Sequence, residues 1–215
     1  MKKLYLLFFL YCCSFTFVFG QNKVGDSLKN VLNQTKNDIE KVQLLNEIAD
    51  YYKSSNPVLM NEYASKALVL AKKINYQTEE GTALLNLGIT KIITGNYPEA
   101  LDFFSQAKLI YENELAVNLK DNLKLKNGLA RVYGSMGVVF SEQSNYARAL
   151  QHHLKAVSIY EETKEQEKLA RVYNNIGIVY RAQNEDFKAL DYFSKAQKIQ
   201  EKLGDPTVGI TLTNI

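Results

Sequence analysis

The chain has 215 residues, with 26 basic against 23 acidic side chains and two cysteines. That length suffices for one domain with a sizeable core, and no linker rich in proline, glycine or serine divides it. The near balance of charge leaves no concentrated positive face, which nucleic acid or an anionic membrane would need as a main partner.

The first twenty residues, MKKLYLLFFLYCCSFTFVFG, carry two lysines, an uncharged apolar run from Leu4 to Phe19, and Gly20. This is the layout of a secretory signal peptide, with Val18 and Gly20 at the cleavage positions and Gln21 as the mature N-terminus. The alternative is a retained anchor, for which the run is shorter than the roughly 20 residues of a membrane-spanning helix. Cleavage would remove Cys12 and Cys13, leaving no thiol for a disulfide or a metal. It would also remove Lys2 and Lys3, so that 24 of the 26 basic residues face 23 acidic ones. The expected location is the periplasm or another extracytoplasmic compartment, and the expected membrane contact is limited to this segment or to one downstream. Residues 21–37 read as an N-terminal capping segment.

From there the chain repeats itself. LARVYGSMGVVF from Leu129 and LARVYNNIGIVY from Leu169 align at an offset of 40, placing Gly137 on Gly177, Ala149 on Ala189, His153 on Phe193 and Ala156 on Ala196. An earlier copy carries Gly88, Ala100, Phe104 and Ala107 at the same spacings of 12, 4 and 3. A weaker one around LLNEIADYYKSSNPVLMNEYASKAL has Ala49, Tyr52 and Ala67, and is one residue short between its halves. Each copy splits into two stretches with apolar residues at i, i+3, i+4 and i+7, the signature of two amphipathic helices. Turn signals such as Gly95-Asn96, with Pro98 in the first turn of the next helix, separate them.

In this order of residues the chain resembles the tetratricopeptide repeat, a helix-turn-helix unit of about 34 residues. The period of 39 to 40 is that of its long-repeat relatives, with longer helices. The predicted organisation is a weak repeat at 38–75, repeats at 78–114, 128–164 and 166–203, an insertion at 115–127, and the start of a further, truncated repeat at 205–215. The insertion reads equally as helix extension from Asn113 to Asn127 or as an elongated loop. Because the last segment stops short of its structural glycine, the chain is expected to be a fragment of a longer array. The fold class is all-α: a right-handed superhelical solenoid of antiparallel helix pairs, with the first helix of each pair on the inner face. The repeated glycine, costly by about 1 kcal/mol in a helix interior, is expected to mark a helix crossing. There Gly88, Gly137 and Gly177 face Ala100, Ala149 and Ala189, and Phe104 fills the wedge beside them.

No catalytic constellation is visible: GxxxxGK[ST], HExxH and GxSxG are absent. His152 and His153 point about 100° apart on a helix and cannot share a metal, and His153 occupies the aromatic packing position of its repeat. Glu79 with Glu80 and Glu161 with Glu162 are expected to be solvated pairs at helix ends. Tyr51, Tyr52, Tyr133, Tyr173 and Tyr180 read as packing residues. No cofactor, metal or nucleic acid is expected.

Function is therefore sought in the inner groove, a surface for a protein or peptide partner. Its expected lining is Asn46, Asp50 and Lys53; Leu85, Ile89 and Ile92; Arg131, Gly134 and Val138; and Arg171, Asn174, Ile178 and Arg181. Chaperone-binding relatives hold a peptide carboxylate there with lysines and an asparagine. The asparagine after the structural glycine is replaced here by Ile89, Val138 and Ile178, so that mode is not expected. Arg131, Arg171 and Arg181 suit bidentate capture of carboxylates, and equally suit salt bridges between repeats. The resulting expectation is a non-catalytic scaffold binding a peptide or partner domain. The alternative, implied by resemblance to signal-led repeat regions of bacterial sensor histidine kinases and regulators, is the sensory part of a larger signalling protein.

Overall fold

The computed structural model describes residues 24–117, 122–204 and 208–214. The signal segment 1–20, part of the predicted insertion at 118–121, Asp205 with Pro206, and Ile215 lie outside these residues.

Every described element is a helix. Helix α1 spans 24–34. Four antiparallel pairs follow: α2 (Asp38–Tyr52) with α3 (Pro57–Lys73), α4 (Gln77–Ile93) with α5 (Tyr97–Val117), α6 (Leu123–Glu142) with α7 (Tyr146–Glu162), and α8 (Gln166–Ala182) with α9 (Asp186–Leu203). A short helix α10 (Val208–Asn214) packs on α9. In the region of the predicted insertion, helix α5 runs to Val117 and α6 begins at Leu123.

One kind of turn joins most of these helices. A residue with positive φ follows the helix, and the next N–H bonds back five residues, closing a Schellman motif. Inside the pairs, Asn96 N–H reaches Lys91 O at 2.8 Å, Asn145 reaches Phe140 at 2.8 Å, and Glu185 reaches Tyr180 at 3.0 Å. Between pairs, Tyr76 reaches Ala71 at 2.9 Å and Glu165 reaches Tyr160 at 3.0 Å. The left-handed residues are Gly95, Ser144 and Asn184 within pairs, and Asn75 and Lys164 between them. The incoming helix is then capped by an asparagine where one is present: Asn56 for Leu59 N–H and Asn145 for Arg148 N–H.

Each pair buries its facing stripes, and each second helix also packs on the next first helix, so one core cluster runs from α2 to α8, with a smaller one of Val42, Leu45, Ala67, Ala71 and Ala83 beside it among α2, α3 and α4. The first helices additionally touch one another, α2 with α4, α4 with α6 and α6 with α8. Close approach on that side and splay on the other curve the array, placing α2, α4, α6 and α8 on the concave face.

Candidate functional site

The repeated glycines make joints of a different kind from the expected one. A Cβ on Gly137 would lie 2.5 Å from the His153 ring, and one on Gly177 would lie 2.5 Å from the Phe193 ring. Gly88 has the same relation to Phe104. The glycine therefore makes room for the aromatic ring of the second helix lying flat against the backbone of the first. Ala100, Ala149 and Ala189 are buried nearby, as are Ala107, Ala156 and Ala196. In the first repeat the corresponding positions are Ala49 and Ala64, both fully buried, which share the volume differently.

Two further glycines, unremarked in the sequence reading, take a second ring. Tyr111, 1% exposed, lies between α4 and α6, where a Cβ on Gly81 would come to 2.9 Å and one on Gly128 to 2.5 Å. Its hydroxyl shares a hydrogen bond with Thr82 Oγ1 at 3.1 Å, and burial pushes its pKa up to about 12. The signal that could have revealed it is Tyr160, buried at the matching place in the next repeat.

Among the described residues, two adjoining cavities lie on the concave face. The first, about 630 Å³, lies among α2, α4 and α6, lined by Asn46, Glu79, Asn86, Lys124 and Asn127 among others. Glu79 is not a solvated end-of-helix carboxylate, as the sequence suggested: it is 2% exposed, accepts a hydrogen bond from Asn46 Nδ2 at 2.7 Å, and pairs with Lys124. The curvature of the array brings Lys124 over it from the next first helix, 45 residues away. Glu80 is more exposed and lies 3.8 Å from Lys72. The amide nitrogens of Asn46, Asn86 and Asn127 all donate within the protein, to Glu79, to Asn46 O and to Glu165. Their Oδ1 atoms are buried without a partner.

The second cavity, about 350 Å³, is bordered by Asp50, Lys53, Arg131, Lys168 and Arg171, with Ile89, Gly134, Val138, Tyr160 and Val172. Four cations thus surround one carboxylate. Arg131 Nη2 donates to Asp50 Oδ1 at 2.8 Å, linking α6 to α2 across 81 residues. Lys168 turns to Glu165 at 3.1 Å and Arg171 to Glu167 at 3.2 Å, each along its own helix or cap. Although Lys53 is solvent-exposed as a residue, desolvation of its ammonium and the facing Arg131 guanidinium hold its pKa below the usual lysine range. Ile89, Tyr160 and Val172 are buried and form the floor, while the cations stand at the rim.

Of the residues expected in the groove, Arg131, Val138, Arg171, Ile89, Asp50, Lys53 and Gly134 meet at this cavity. Leu85 does not line it: it is fully buried in the core between the helices of its pair. Asn174 and Arg181 lie further along, where Asn214 of α10 donates to Asn174 Oδ1 at 3.0 Å and accepts from Arg181 at 3.4 Å. Ile178 is 36% exposed, outside both cavities. Lys168, which the sequence reading did not single out, faces both cavities. Among the described residues no group of three or more His, Cys, Asp or Glu is placed to hold a metal, and no helix is long and apolar enough to cross a membrane.

An all-helical array of glycine-jointed pairs around a concave groove defines a helical repeat solenoid. Residues 128–202 match the family model described as Tetratricopeptide repeat, and the described residues as a whole have the fold of a tetratricopeptide-like helical solenoid. No curated protein matches it in sequence. Solved structures share its fold at low identity. A Rap protein complexed with competence and sporulation factor superposes with TM-score 0.75 at 18% identity, over 90% of this chain and 54% of that one. Aspartyl phosphate phosphatase F from Bacillus subtilis gives 0.68 at 21%, over 81% and 44%. BtubC from P. vanneervenii gives 0.64 at 17%, over 86% and 75%. The chain thus spans about half the length of the Rap and phosphatase relatives.

Proposed function

We propose that this protein is an exported, non-catalytic interaction scaffold that holds an acidic peptide or partner segment on its concave face. The observation that carries this reading is the second cavity, where Lys53, Arg131, Lys168 and Arg171 gather with Asp50 as the one carboxylate of the lining, while Lys168 and Arg171 pair with Glu165 and Glu167 along their own helix or cap. Guanidinium forks at that rim suit bidentate carboxylate capture. One fold neighbour, a Rap protein, is complexed with competence and sporulation factor. A second reading is the sensory part of a larger signalling protein, and the fold neighbours of which this chain spans 54% and 44% are longer chains in which such an array forms only one part.

The test is Arg131→Gln combined with Arg171→Gln, in a pull-down from periplasmic extract alongside circular dichroism melting. Loss of partner capture with a melt lowered only slightly is expected, because exposed pairs contribute about 0 to 1 kcal/mol each. Undiminished capture by the double variant would overturn the reading.

A further inference from the structure

Gly134 stands in the middle of α6, and nothing in the structure packs where its side chain would be. The other glycines inside α4, α6 and α8 each meet an aromatic ring: Gly81 and Gly128 meet Tyr111, Gly88 meets Phe104, Gly137 meets His153 and Gly177 meets Phe193. A Cβ on Gly134 would meet no atom within 4 Å. At the same register in the other first helices a side chain is present and engaged. Asn46 reaches Glu79 on the next first helix, Leu85 is buried in the core, and Asn174 bonds Asn214 of α10. At Gly134 the corresponding volume is open and belongs to the cationic cavity.

The surroundings define what would fill it. Ile89, Val138, Tyr160 and Val172 border the cavity with carbon beside the polar Ser135 and Asn175, while Lys53, Arg131 and Arg171 supply positive charge at its rim, Arg131 paired with Asp50 and Arg171 with Glu167. Apolar floor and charged rim together match a group that is itself amphipathic. We propose that Gly134 opens a specificity pocket for an apolar side chain standing next to a carboxylate in the bound ligand. This rests on the carboxylate-binding reading of the same groove and adds the requirement for the apolar neighbour. The side chain lies over the bare α6 backbone and covers Val138 and Val172, while the adjacent carboxylate faces the guanidinium groups. Desolvation by the ligand's apolar part strengthens those charge contacts, and a residue larger than glycine at 134 occupies the seat.

The probes are N-acetyl-leucine, N-acetylglycine and N-acetyl-leucinamide, titrated separately into the full chain and followed by amide NMR shifts of the α6 residues. The expected result is saturable binding of N-acetyl-leucine, at least tenfold tighter than that of N-acetylglycine or of the amide. In Gly134→Leu the preference for leucine over glycine should vanish, while the melting temperature stays level or rises, since alanine or leucine suits a helix interior better than glycine. Gly134→Ala, which adds one methyl into open space, should retain part of the preference. Equal binding of the two acids to the natural chain, or an unchanged preference in Gly134→Leu, would overturn the pocket while leaving the carboxylate reading intact. Failure of both acids to bind would overturn both.

Discussion

At His153 one side chain departs from its repeat in a way that has measurable consequences. Phe104 and Phe193 fill the same place against Gly88 and Gly177, whereas His153 presents a buried Nδ1 that has no hydrogen-bond partner. Burial pushes its pKa down to about 4, with a smaller contribution from His152. The ring is therefore neutral in the folded chain and takes a proton more readily when unfolded. Its folded pKa being depressed below the ordinary 6.5, stability is fully present above pH 6.5, falls as the pH drops towards 4, and levels off below it. The loss across that window is on the order of 3 kcal/mol. His153→Phe should reduce this slope to the part left by His152, whose pKa burial also lowers, and raise stability at neutral pH by about 1 to 3 kcal/mol, the usual cost of an unsatisfied buried polar group. Denaturant melts of both proteins at pH 7 and pH 4.5 check this; equal slopes would show that another group controls the acid transition.

At the scale of the helix pair, the joint is a ring set into the groove left by a glycine. Enlarging Gly137 drives the new side chain into the His153 ring, 2.5 Å from the Cβ position. Gly137→Leu should cost about 1 to 3 kcal/mol, the range for overpacking. The partner in that clash distinguishes the observed joint from a simple approach of backbones at Ala149. Adding His153→Ala to Gly137→Leu should restore part of the lost stability, whereas Ala149→Gly should restore none. Thermal melting of the three variants reads the outcome, and rescue by Ala149→Gly alone would place the tight contact elsewhere. The Schellman turns hold the two helices of the α4–α5, α6–α7 and α8–α9 pairs at the angle that lets ring and glycine meet.

Across the whole molecule, curvature couples repeats that are not neighbours in the chain. The Arg131–Asp50 pair joins α6 to α2, skipping the α4–α5 repeat between them. Both side chains are partly exposed, so a double-mutant cycle with Arg131→Gln and Asp50→Asn should give a coupling of about 0 to 1 kcal/mol. A coupling of several kcal/mol would mean that the array behaves as one cooperative block instead of a row of nearest-neighbour units. The proposed export of the protein is tested at this scale as well. N-terminal sequencing of protein made in its native host should find Gln21 first, and a cytosolic product beginning at Met1 would defeat that proposal.

The sequence by itself determined the repeat. The period of 40 between Gly137 and Gly177, the spacing from each glycine to its alanines and aromatic, and turns such as Gly95-Asn96 are local patterns, and helix and turn formation responds to residues within about five positions. From those patterns the pairing of helices and the inner placement of the first helix follow. Only the tertiary structure decided what lies across the joints and along the groove. That the glycines face rings and not alanines depends on the crossing of two helices. That Glu79 is buried under Lys124, that Tyr111 fills the space between Gly81 and Gly128, and that Arg131 reaches Asp50 depends on how closely successive first helices approach. Leu85 and Arg131 look alike as groove positions when counted from the repeated glycine, yet one is buried and the other stands at the rim. The rotation accumulated from repeat to repeat separates them, and that rotation is a sum over many packed contacts that no short stretch of sequence contains.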